Sequence, residues 1–376
     1  MKSRSGNFIN NKLGYKTFSP TLLFEVEKHI KIDSLYHLLD TANNVLGELR
    51  AISTLLPNAD LLIGQYAFME ALLSSKIEGT QSTLTEVMMS KDTIDVREVL
   101  NCNNALIYAV KQIKSENGLP LSSRLLMEVH NKLMYNVRGG EKSNTPGEYR
   151  TSQNWIGPSY CRSPQGATFV PPPPTDLAGL LSDLEKYIHY GKLPHLIKAS
   201  LIHYQFETIH PFLDGNGRVG RSLITLYLID NKMLDAPLLF LSLYFKQNQS
   251  KYYDLLMTVR TKGKYEEWIK FFLDGVIYTS KMVMETTNKI QSLQLKCDKG
   301  IKHKNELNLL RFLFKTPIIG IRDVVEHLKV NNSTARALIA RLEEREILVE
   351  LGSRTRNKIF VFSEYINIIE SCGGVV

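Results

Sequence analysis

Cysteine is scarce in this sequence, and the few cysteines are widely separated. There are four, none of them in a C-x-x-C pair, at Cys102, Cys161, Cys297 and Cys372. This spacing excludes the usual zinc sites and the disulfide frameworks of small secreted proteins. It is typical of proteins that fold in a reducing compartment.

Long apolar runs are also missing. No segment reaches the ~18 uninterrupted apolar residues that a membrane-spanning helix requires. The first residues, MKSRSGNFINNK, lack the apolar run of a signal peptide. We therefore expect a cytoplasmic protein that makes no membrane contact.

The composition is that of a folded protein with a modest basic excess. The 376 residues are 43% apolar and 22% charged, which allows two or three domains with cores of their own. The net charge of +8 suits a polyanionic or phosphorylated partner. A solvated basic surface would give the same charge, so the charge alone does not choose between them.

Helical periodicity dominates most of the chain. Apolar residues recur at i, i+3 and i+4 in residues 24–53, 59–76 and 96–113, after an extended arm. We predict a mainly α-helical fold with four parts, namely an N-terminal helical region at 1–115, a second helical domain at 116–275, a polar connecting helix at 276–303 and a C-terminal domain at 304–376.

One segment of the second domain breaks the helical pattern. Residues 147–174 are rich in Gly, Pro, Ser and aromatic residues, and they contain two short extended stretches, NWIG and ATFV. The segment ends in the proline run 171–174, which cannot continue a strand ladder. This pattern predicts a small β-hairpin on the surface, although a simple Gly/Pro loop fits the same composition.

The C-terminal domain has a pattern of its own. Three helical stretches at 305–314, 321–328 and 333–348 precede a strand, turn and strand at 349–362, the order of a winged helix-turn-helix. The third helix would be the recognition helix, and the turn would be the wing. DNA-facing residues would be Ser333, Arg336, Arg341, Arg354, Arg356 and Lys358. Protein docking or dimer formation is the alternative use of such a module.

The stretch HPFLDGNGRVGR, residues 210–221, joins two strongly helical segments. A glycine-rich turn at the start of a helix presents free backbone N–H groups and the positive end of the helix dipole, so it suits a phosphate group. Arg218 and Arg221 lie on the first turn of the second helix, where several anionic oxygens would satisfy them. A triphosphate would supply those oxygens.

Two further residues of this stretch can carry chemistry. Asp214 offers the hard oxygen ligands that Mg²⁺ prefers beside substrate phosphates. Histidine ordinarily titrates near neutral pH, so His210 is the candidate general base for a hydroxyl that attacks phosphorus. Phe212 is expected to pack in the core and fix the turn.

These residues resemble the Fic domain family. Every defined position of the family signature, H-x-F-x-(D/E)-G-N-G-R-x-x-R, is present, at His210, Phe212, Asp214, Gly215, Asn216, Gly217, Arg218 and Arg221. The resemblance implies a Fic helical bundle with a small β-hairpin flap and a protein adenylyltransferase that uses ATP with Mg²⁺. It moves AMP to a Ser, Thr or Tyr hydroxyl of a target protein and releases pyrophosphate.

The resemblance also implies a role for each residue. His210 deprotonates the target hydroxyl, Asp214 holds Mg²⁺, Arg218 binds the departing phosphates and Arg221 binds the γ-phosphate. An anion hole is formed by Gly215, Asn216 and Gly217, and the implied ATP contacts extend through Val219 and Gly220, with Tyr253 and Asn248 near adenine. The target docks on the flap by strand addition. Modification of the protein itself and a homodimer remain open.

The stretch SSKIEG, residues 74–79, resembles the inhibitory motif of the same family, (S/T)-x-x-x-E-(G/N), in its N-terminal arrangement. Ser74, Glu78 and Gly79 are its defined residues. Gly79 predicts a helix end, so Glu78 would lie where the helix dipole disfavours a carboxylate. The resemblance implies that Glu78 pairs with Arg221, takes the place of the γ-phosphate and inhibits the enzyme.

Three functions remain as hypotheses. The first is a self-inhibited protein adenylyltransferase, which the intact signature favours. The second is a DNA-binding regulator whose Fic-like domain only senses nucleotide. The third is a Fic enzyme that uses another donor, such as UTP or CDP-choline, or that removes AMP.

Overall fold

A computed structural model describes residues 4–55, 59–89, 91–139, 145–158, 160–352 and 357–373, with only the backbone described at 53–55, 59–62 and 373. Helices dominate these residues, which confirms the predicted fold class. None of the helices in these ranges is long and apolar enough to cross a membrane.

The N-terminal region begins with a hairpin that the sequence analysis predicted only as an extended arm. Its two strands are antiparallel, with Gly6 opposite Pro20 and Asn10 opposite Lys16. The stretch 24–53, which has helical periodicity throughout, is interrupted after Glu27. The elements are β1 (Gly6–Asn10), β2 (Lys16–Pro20), α1 (Leu23–Glu27), α2 (Tyr36–Leu55), α3 (Ala59–Ile77), α4 (Leu84–Met88) and α5 (Ile94–Lys114).

The middle of the chain contains two helices that are buried along almost their whole length, α8 and α9. They pack against each other and are covered by α5, α6 and α7. A helix buried on all sides belongs to the centre of a fold. The elements are α6 (Ser123–Leu133), α7 (Leu177–Tyr190), α8 (His195–Ile209), α9 (Asn216–Asp230), α10 (Ser242–Gln247) and α11 (Gln249–Lys262).

The next helix differs from the prediction of a polar connector. Helix α12 runs without interruption from Tyr265 to Asp298, so the predicted boundary at 275–276 falls inside it. Its later half still buries apolar side chains, including Val283, Ile290 and Leu293, against the rest of the protein. Apolar residues at helical spacing therefore make this helix part of the core.

The C-terminal residues form helices and a small sheet in the predicted order, with additions. The strand β3 and the helix α16 were not predicted, and the sheet order is β3-β5-β4. Arg336 and Arg341 are exposed on α15, whereas Arg354 and Arg356 lie outside the described residues. The elements are α13 (Lys304–Leu313), β3 (Ile318–Gly320), α14 (Ile321–Leu328), α15 (Asn332–Glu344), β4 (Val349–Glu350), β5 (Ile359–Val361) and α16 (Ser363–Gly373).

Phe212 anchors the turn between α8 and α9 in the core. Its ring is fully buried and stacks on the His130 ring at 3.8 Å, and the rings of Tyr149 and Phe206 lie nearby. We expect Phe212→Ala to lower the free energy of unfolding by about 3–5 kcal/mol, because it leaves a cavity beneath the turn. Urea denaturation would measure this loss. The control, Tyr190→Ala, removes a ring that is 71% exposed and should change stability by less than about 0.5 kcal/mol.

Candidate functional site

The turn at 210–215 begins and ends with residues in left-handed backbone conformation. His210 ends α8 with φ of 49°, and Gly215 precedes the first residue of α9 with φ of 75°. A left-handed conformation is ordinary for glycine but uncommon for histidine. The backbone at His210 is therefore held in place by its surroundings.

Two buried side chains from the flap segment hold this backbone. Arg150 donates from Nε to the His210 carbonyl at 2.9 Å, and its Nη2 donates to the Pro172 carbonyl at 2.6 Å. Asn154 donates from Nδ2 to the carbonyls of His210 and Phe212 at 3.2 and 2.8 Å. The start of the turn is thus tied directly to the flap.

The inside of the turn is braced by Asn216. Its Nδ2 donates to the Phe212 carbonyl, and its Oδ1 accepts from the Phe212 N–H, both at 2.8 Å. The Asn216 side chain is therefore engaged within the turn. In the anion hole expected from Gly215, Asn216 and Gly217, Asn216 would therefore contribute its backbone N–H at the helix start.

His130 on α6 supports the turn from below, and the sequence analysis did not single it out. Gly147 donates its N–H to Nδ1 of His130 at 2.9 Å, so the ring proton lies on Nε2, which donates to the Asp214 carbonyl at 3.0 Å. Burial lowers the pKa of His130 to about 4. The neutral ring therefore fixes the Asp214 backbone without adding charge.

A cavity of about 560 Å³ opens beside the turn. Its wall combines the turn, the start of α9, the flap and α11. The predicted site residues that line it are Glu78, His210, Asp214, Gly215, Asn216, Gly217, Arg221 and Tyr253. The structure brings these residues together although they are far apart in sequence.

His210 faces this cavity as a neutral imidazole. Burial, followed by the charge of Arg260, lowers the pKa of His210 to about 4. Its Nδ1 lies 3.4 Å from the Glu207 carbonyl, and a carbonyl oxygen only accepts, so this contact requires the proton on Nδ1. Nε2 is then the basic nitrogen, able to accept a proton at neutral pH.

Arg218 is buried with part of its guanidinium unsatisfied. Its Nη2 contacts Met134 Sδ at 3.6 Å, whereas Nε and Nη1 have no hydrogen-bond partner among the described residues. A buried guanidinium without partners is costly. An anion at the start of α9 would supply them, so Arg218 fits a phosphate group.

Arg221 is almost fully buried and is bound by Ser74 in α3 and by Glu78, the residue after α3. Its Nε donates to Ser74 Oγ at 2.9 Å, and its Nη2 donates to the Ser74 carbonyl at 3.0 Å and to Glu78 Oε1 at 2.6 Å. Burial favours a raised pKa for Glu78, but the charge of Arg221 outweighs it and holds that pKa below its usual value. Glu78 is therefore an ionised partner of Arg221.

The position of Glu78 explains how a carboxylate is tolerated after the last residue of α3. Gly79 has φ of 97°, as expected past a helix end. At this helix end the carbonyls of Lys76 and Ile77 accept from Lys246 Nζ at 3.0 Å and Gln249 Nε2 at 3.1 Å. The carboxylate itself lies so close to the start of α9 that a Cβ at Gly217 would collide with it. The favourable N-terminal end of α9 thus offsets the unfavourable end of α3.

Asp214 is an exposed carboxylate at the cavity wall. Its Oδ1 accepts from the Gly215 N–H at 2.6 Å, and its remaining lone pairs suit a cation. No group of three or more His, Cys, Asp or Glu side chains that could hold a metal exists in the part of the chain that the structure describes. Mg²⁺ commonly takes one or two carboxylates together with waters and substrate phosphates, so Asp214 fits it as a single protein ligand.

Four predicted ATP contacts do not line the cavity, and three of them have structural roles. Val219 is fully buried in the core. The Gly220 carbonyl accepts from His203 Nδ1 at 2.9 Å, and Asn248 donates from Nδ2 to the Tyr244 carbonyl at 3.0 Å. Only Arg218 among the four keeps unsatisfied polar atoms. Within the signature, Val219 and Gly220 therefore pack α9 into the core, whereas other residues face the cavity.

The flap has less strand structure than the sequence predicted. Among its described residues the two extended stretches meet in a single antiparallel bridge, in which Ile156 and Phe169 exchange hydrogen bonds of 2.8 and 3.0 Å. The N-terminal hairpin joins it, because Phe18 donates its N–H to the Val170 carbonyl at 3.0 Å. The guanidinium of Arg260 lies 3.8 Å above the Phe169 ring. The proline run and turn residues thus limit pairing within the flap.

The chain matches two family models. Residues 120–228 match the Fic/DOC family, and residues 36–111 match the Fic/DOC family N-terminal region. Three relatives are each named protein adenylyltransferase Fic. The one from Culex quinquefasciatus is 25% identical over 68% of this chain, the one from Aedes aegypti 28% over 56%, and the one from Drosophila erecta 27% over 57%. The chain spans 48%, 39% and 41% of their lengths.

Solved structures share the fold. A Fic family protein from Desulfovibrio desulfuricans G20 has a TM-score of 0.58 at 21% identity and covers 87% of this chain and 95% of its own. Fic-1 from C. elegans has a TM-score of 0.51 at 16% identity and covers 71% of this chain and 77% of its own. At these identities the likeness establishes the fold, and the chemistry of the site depends on the residues described above.

Proposed function

The chain belongs to the Fic/DOC family, and we propose that it transfers AMP from ATP to a hydroxyl group of a target protein. The observation that carries this proposal is the shared wall of one cavity, where the neutral His210 lies beside the start of α9 and the Arg221–Glu78 pair. A base and a phosphate-binding helix end are the two requirements of phosphoryl-group transfer to a hydroxyl. The names of the relatives agree with it.

The proposed step uses residues of this chain. His210 Nε2 accepts the proton of the target hydroxyl while the hydroxyl oxygen bonds to the α-phosphorus, and the bond to pyrophosphate breaks with its electron pair on the leaving group. The backbone N–H groups at the start of α9 and the unsatisfied Arg218 stabilise the phosphates. Mg²⁺, bound through Asp214, would neutralise phosphate charge and favour departure of pyrophosphate.

The resting protein is proposed to inhibit itself through Glu78. Glu78 occupies Arg221 with a 2.6 Å hydrogen bond, and Ser74 takes up another N–H of the same guanidinium. A γ-phosphate would need those donors. ATP would therefore enter without its γ-phosphate contact until Glu78 moves away.

Two further proposals concern partners. The flap, with its single bridge and the exposed Tyr160, would receive an extended segment of the target. The C-terminal helices and sheet would form a winged helix-turn-helix, in which the exposed Arg336 and Arg341 suit DNA phosphates. Binding to DNA, formation of a homodimer, self-modification and a cytoplasmic location stay predictions.

Intact-mass spectrometry would test the function. We expect the Glu78→Gly protein, incubated with Mg²⁺ and ATP, to add one AMP to itself or to proteins of a lysate. Parallel incubations with UTP, GTP, CTP and CDP-choline identify the donor, because the added mass differs between them. Absence of any transfer in all these incubations would contradict the proposal, and transfer of UMP or phosphocholine instead would replace ATP as the donor.

A further inference from the structure

A second carboxylate lies behind His210 and has no role in the scheme above. Glu207 is in the last turn of α8, and only 6% of its surface is exposed. Its Oε2 lies 3.8 Å from His210 Nδ1. Its Oε1 is buried with no hydrogen-bond partner among the described residues.

This carboxylate lacks the pairing that a purely structural role would require. In the described part of the chain, His210 is the only basic side chain within 4.0 Å of it. Arg260 is nearby, but its Nη2 donates to the Glu207 backbone carbonyl at 3.0 Å and its Nε to Thr208 Oγ1 at 3.2 Å. Burying an unpaired carboxylate is costly, and an apolar side chain at this position would make a more stable core.

The same residue also orients the imidazole through its backbone. The Glu207 carbonyl is the acceptor for His210 Nδ1 at 3.4 Å. The backbone carbonyl oxygen and the side-chain Oε2 of Glu207 therefore both lie near Nδ1, and Nε2 is left for the target hydroxyl. A base that is oriented by a third group on its far side is a recurrent arrangement in group-transfer enzymes.

We propose that Glu207 is the positioning residue for His210, keeping the proton on Nδ1 and stabilising the imidazolium that forms when Nε2 accepts the target's proton. This inference rests on the proposed function. The transferred proton ends on Nε2, Nδ1 keeps its own proton, and the resulting positive charge faces the Glu207 carboxylate. The Glu207 carboxylate is ionised beforehand, and its partner charge on His210 forms only during the reaction, when the pairing lowers the barrier.

Burial raises the pKa of Glu207 to about 7 and lowers that of His210 to about 4. Near pH 7, before the reaction, His210 is therefore neutral and Glu207 is partly ionised. The transfer rate should then fall as the pH is lowered below about 7, because a protonated Glu207 cannot stabilise an imidazolium. The charged and titratable groups that face this pair from α9, α11, the flap and the end of α3 are Arg221, Tyr252, Arg260, Arg150 and Glu78.

The test compares Glu207→Gln with its parent in the Glu78→Gly protein, so that inhibition does not mask the effect. We expect kcat to fall at least about tenfold, because loss of the Glu207 charge should lower the pKa of the imidazolium by at least about one. The KM for ATP should not change. The loss of rate below about pH 7 should disappear, because the group that titrates is gone. Glu207→Asp keeps the charge on a shorter side chain, so it should retain the acid limb with an intermediate kcat.

The control is Glu306→Gln in α13, which neutralises a carboxylate that is 5% exposed and paired with Arg345, the residue after α15. It should change neither kcat nor the pH profile. Equilibrium binding of ATP and the melting temperature are measured for every variant to show that the site is intact. If Glu207→Gln keeps both the kcat and the acid limb of its parent, the inference is wrong, whereas failure of the parent itself to transfer AMP would overturn the proposed function.

Discussion

Replacement of His210 by alanine is expected to lower the rate of AMP transfer by about 10²- to 10⁴-fold, the usual contribution of a general base. Its imidazole is neutral at physiological pH because burial and Arg260 lower its pKa to about 4. Among the described residues that line the cavity, His210 is the only histidine. Binding of ATP should persist, since the helix start and Arg218 remain.

The backbone at His210 requires a second variant. Alanine is strained at a φ of 49°, whereas asparagine tolerates the left-handed region and has no basic nitrogen. We therefore expect His210→Asn to lose transfer as fully as His210→Ala while melting closer to the parent. The control is His37→Ala on the exposed face of α2. Measurement of transfer with α-labelled ATP decides the outcome, and activity equal to the parent in both variants would remove His210 from the mechanism.

Replacement of Glu78 by glycine is expected to raise AMP transfer at least about tenfold, because Arg221 is released for the γ-phosphate. The lost hydrogen bond is a short, charge-assisted one at 2.6 Å, and such bonds contribute about 1.5–3 kcal/mol, which corresponds to roughly 10- to 100-fold in an equilibrium constant. The rate should rise in proportion to the fraction of ATP bound in the productive pose.

The same variant predicts a change in stability that does not depend on activity. Without Glu78, Arg221 is buried with one N–H unpaired, so the melting temperature should fall when no nucleotide is present. ATP should then raise the melting temperature more in Glu78→Gly than in the parent, because the phosphate replaces the missing carboxylate. Glu116→Gly, which removes an exposed carboxylate in the turn after α5, is the control. An unchanged rate in Glu78→Gly would mean that the pair has only a structural role.

Local sequence predicted the turn well because its requirements are local. The helical periods on both sides, the glycine-rich turn between them and the apolar Phe212 all follow from the spacing of neighbouring residues. Pairing of Arg221 with Glu78 joins residues far apart in the chain, and it was reached only through the resemblance to a family. Periodicity alone contains no information about which helices meet.

The residues that the sequence analysis missed act across long separations. His130 was part of a helical pattern, and nothing in its spacing indicates that its ring lies under Phe212. Arg150 and Asn154 were within a flap predicted for docking, whereas they hold the His210 backbone. Glu207 fits the polar positions of a helix, and only the packing of α9 against α8 reveals that it is buried.

The length of α12 determines how this protein can be divided. Tyr66 on α3 donates its hydroxyl to the Val283 carbonyl at 3.2 Å, and the Tyr66 hydroxyl oxygen also lies 2.9 Å from Thr287 Oγ1. Ending the chain at 275 would remove both of these partners of Tyr66, which lies on the helix that carries Ser74, and would leave apolar side chains in water. A truncated protein that lacks the C-terminal module should therefore end at Asp298, the last residue of α12. Any change in its activity can then be assigned to the missing module and not to damage of α3.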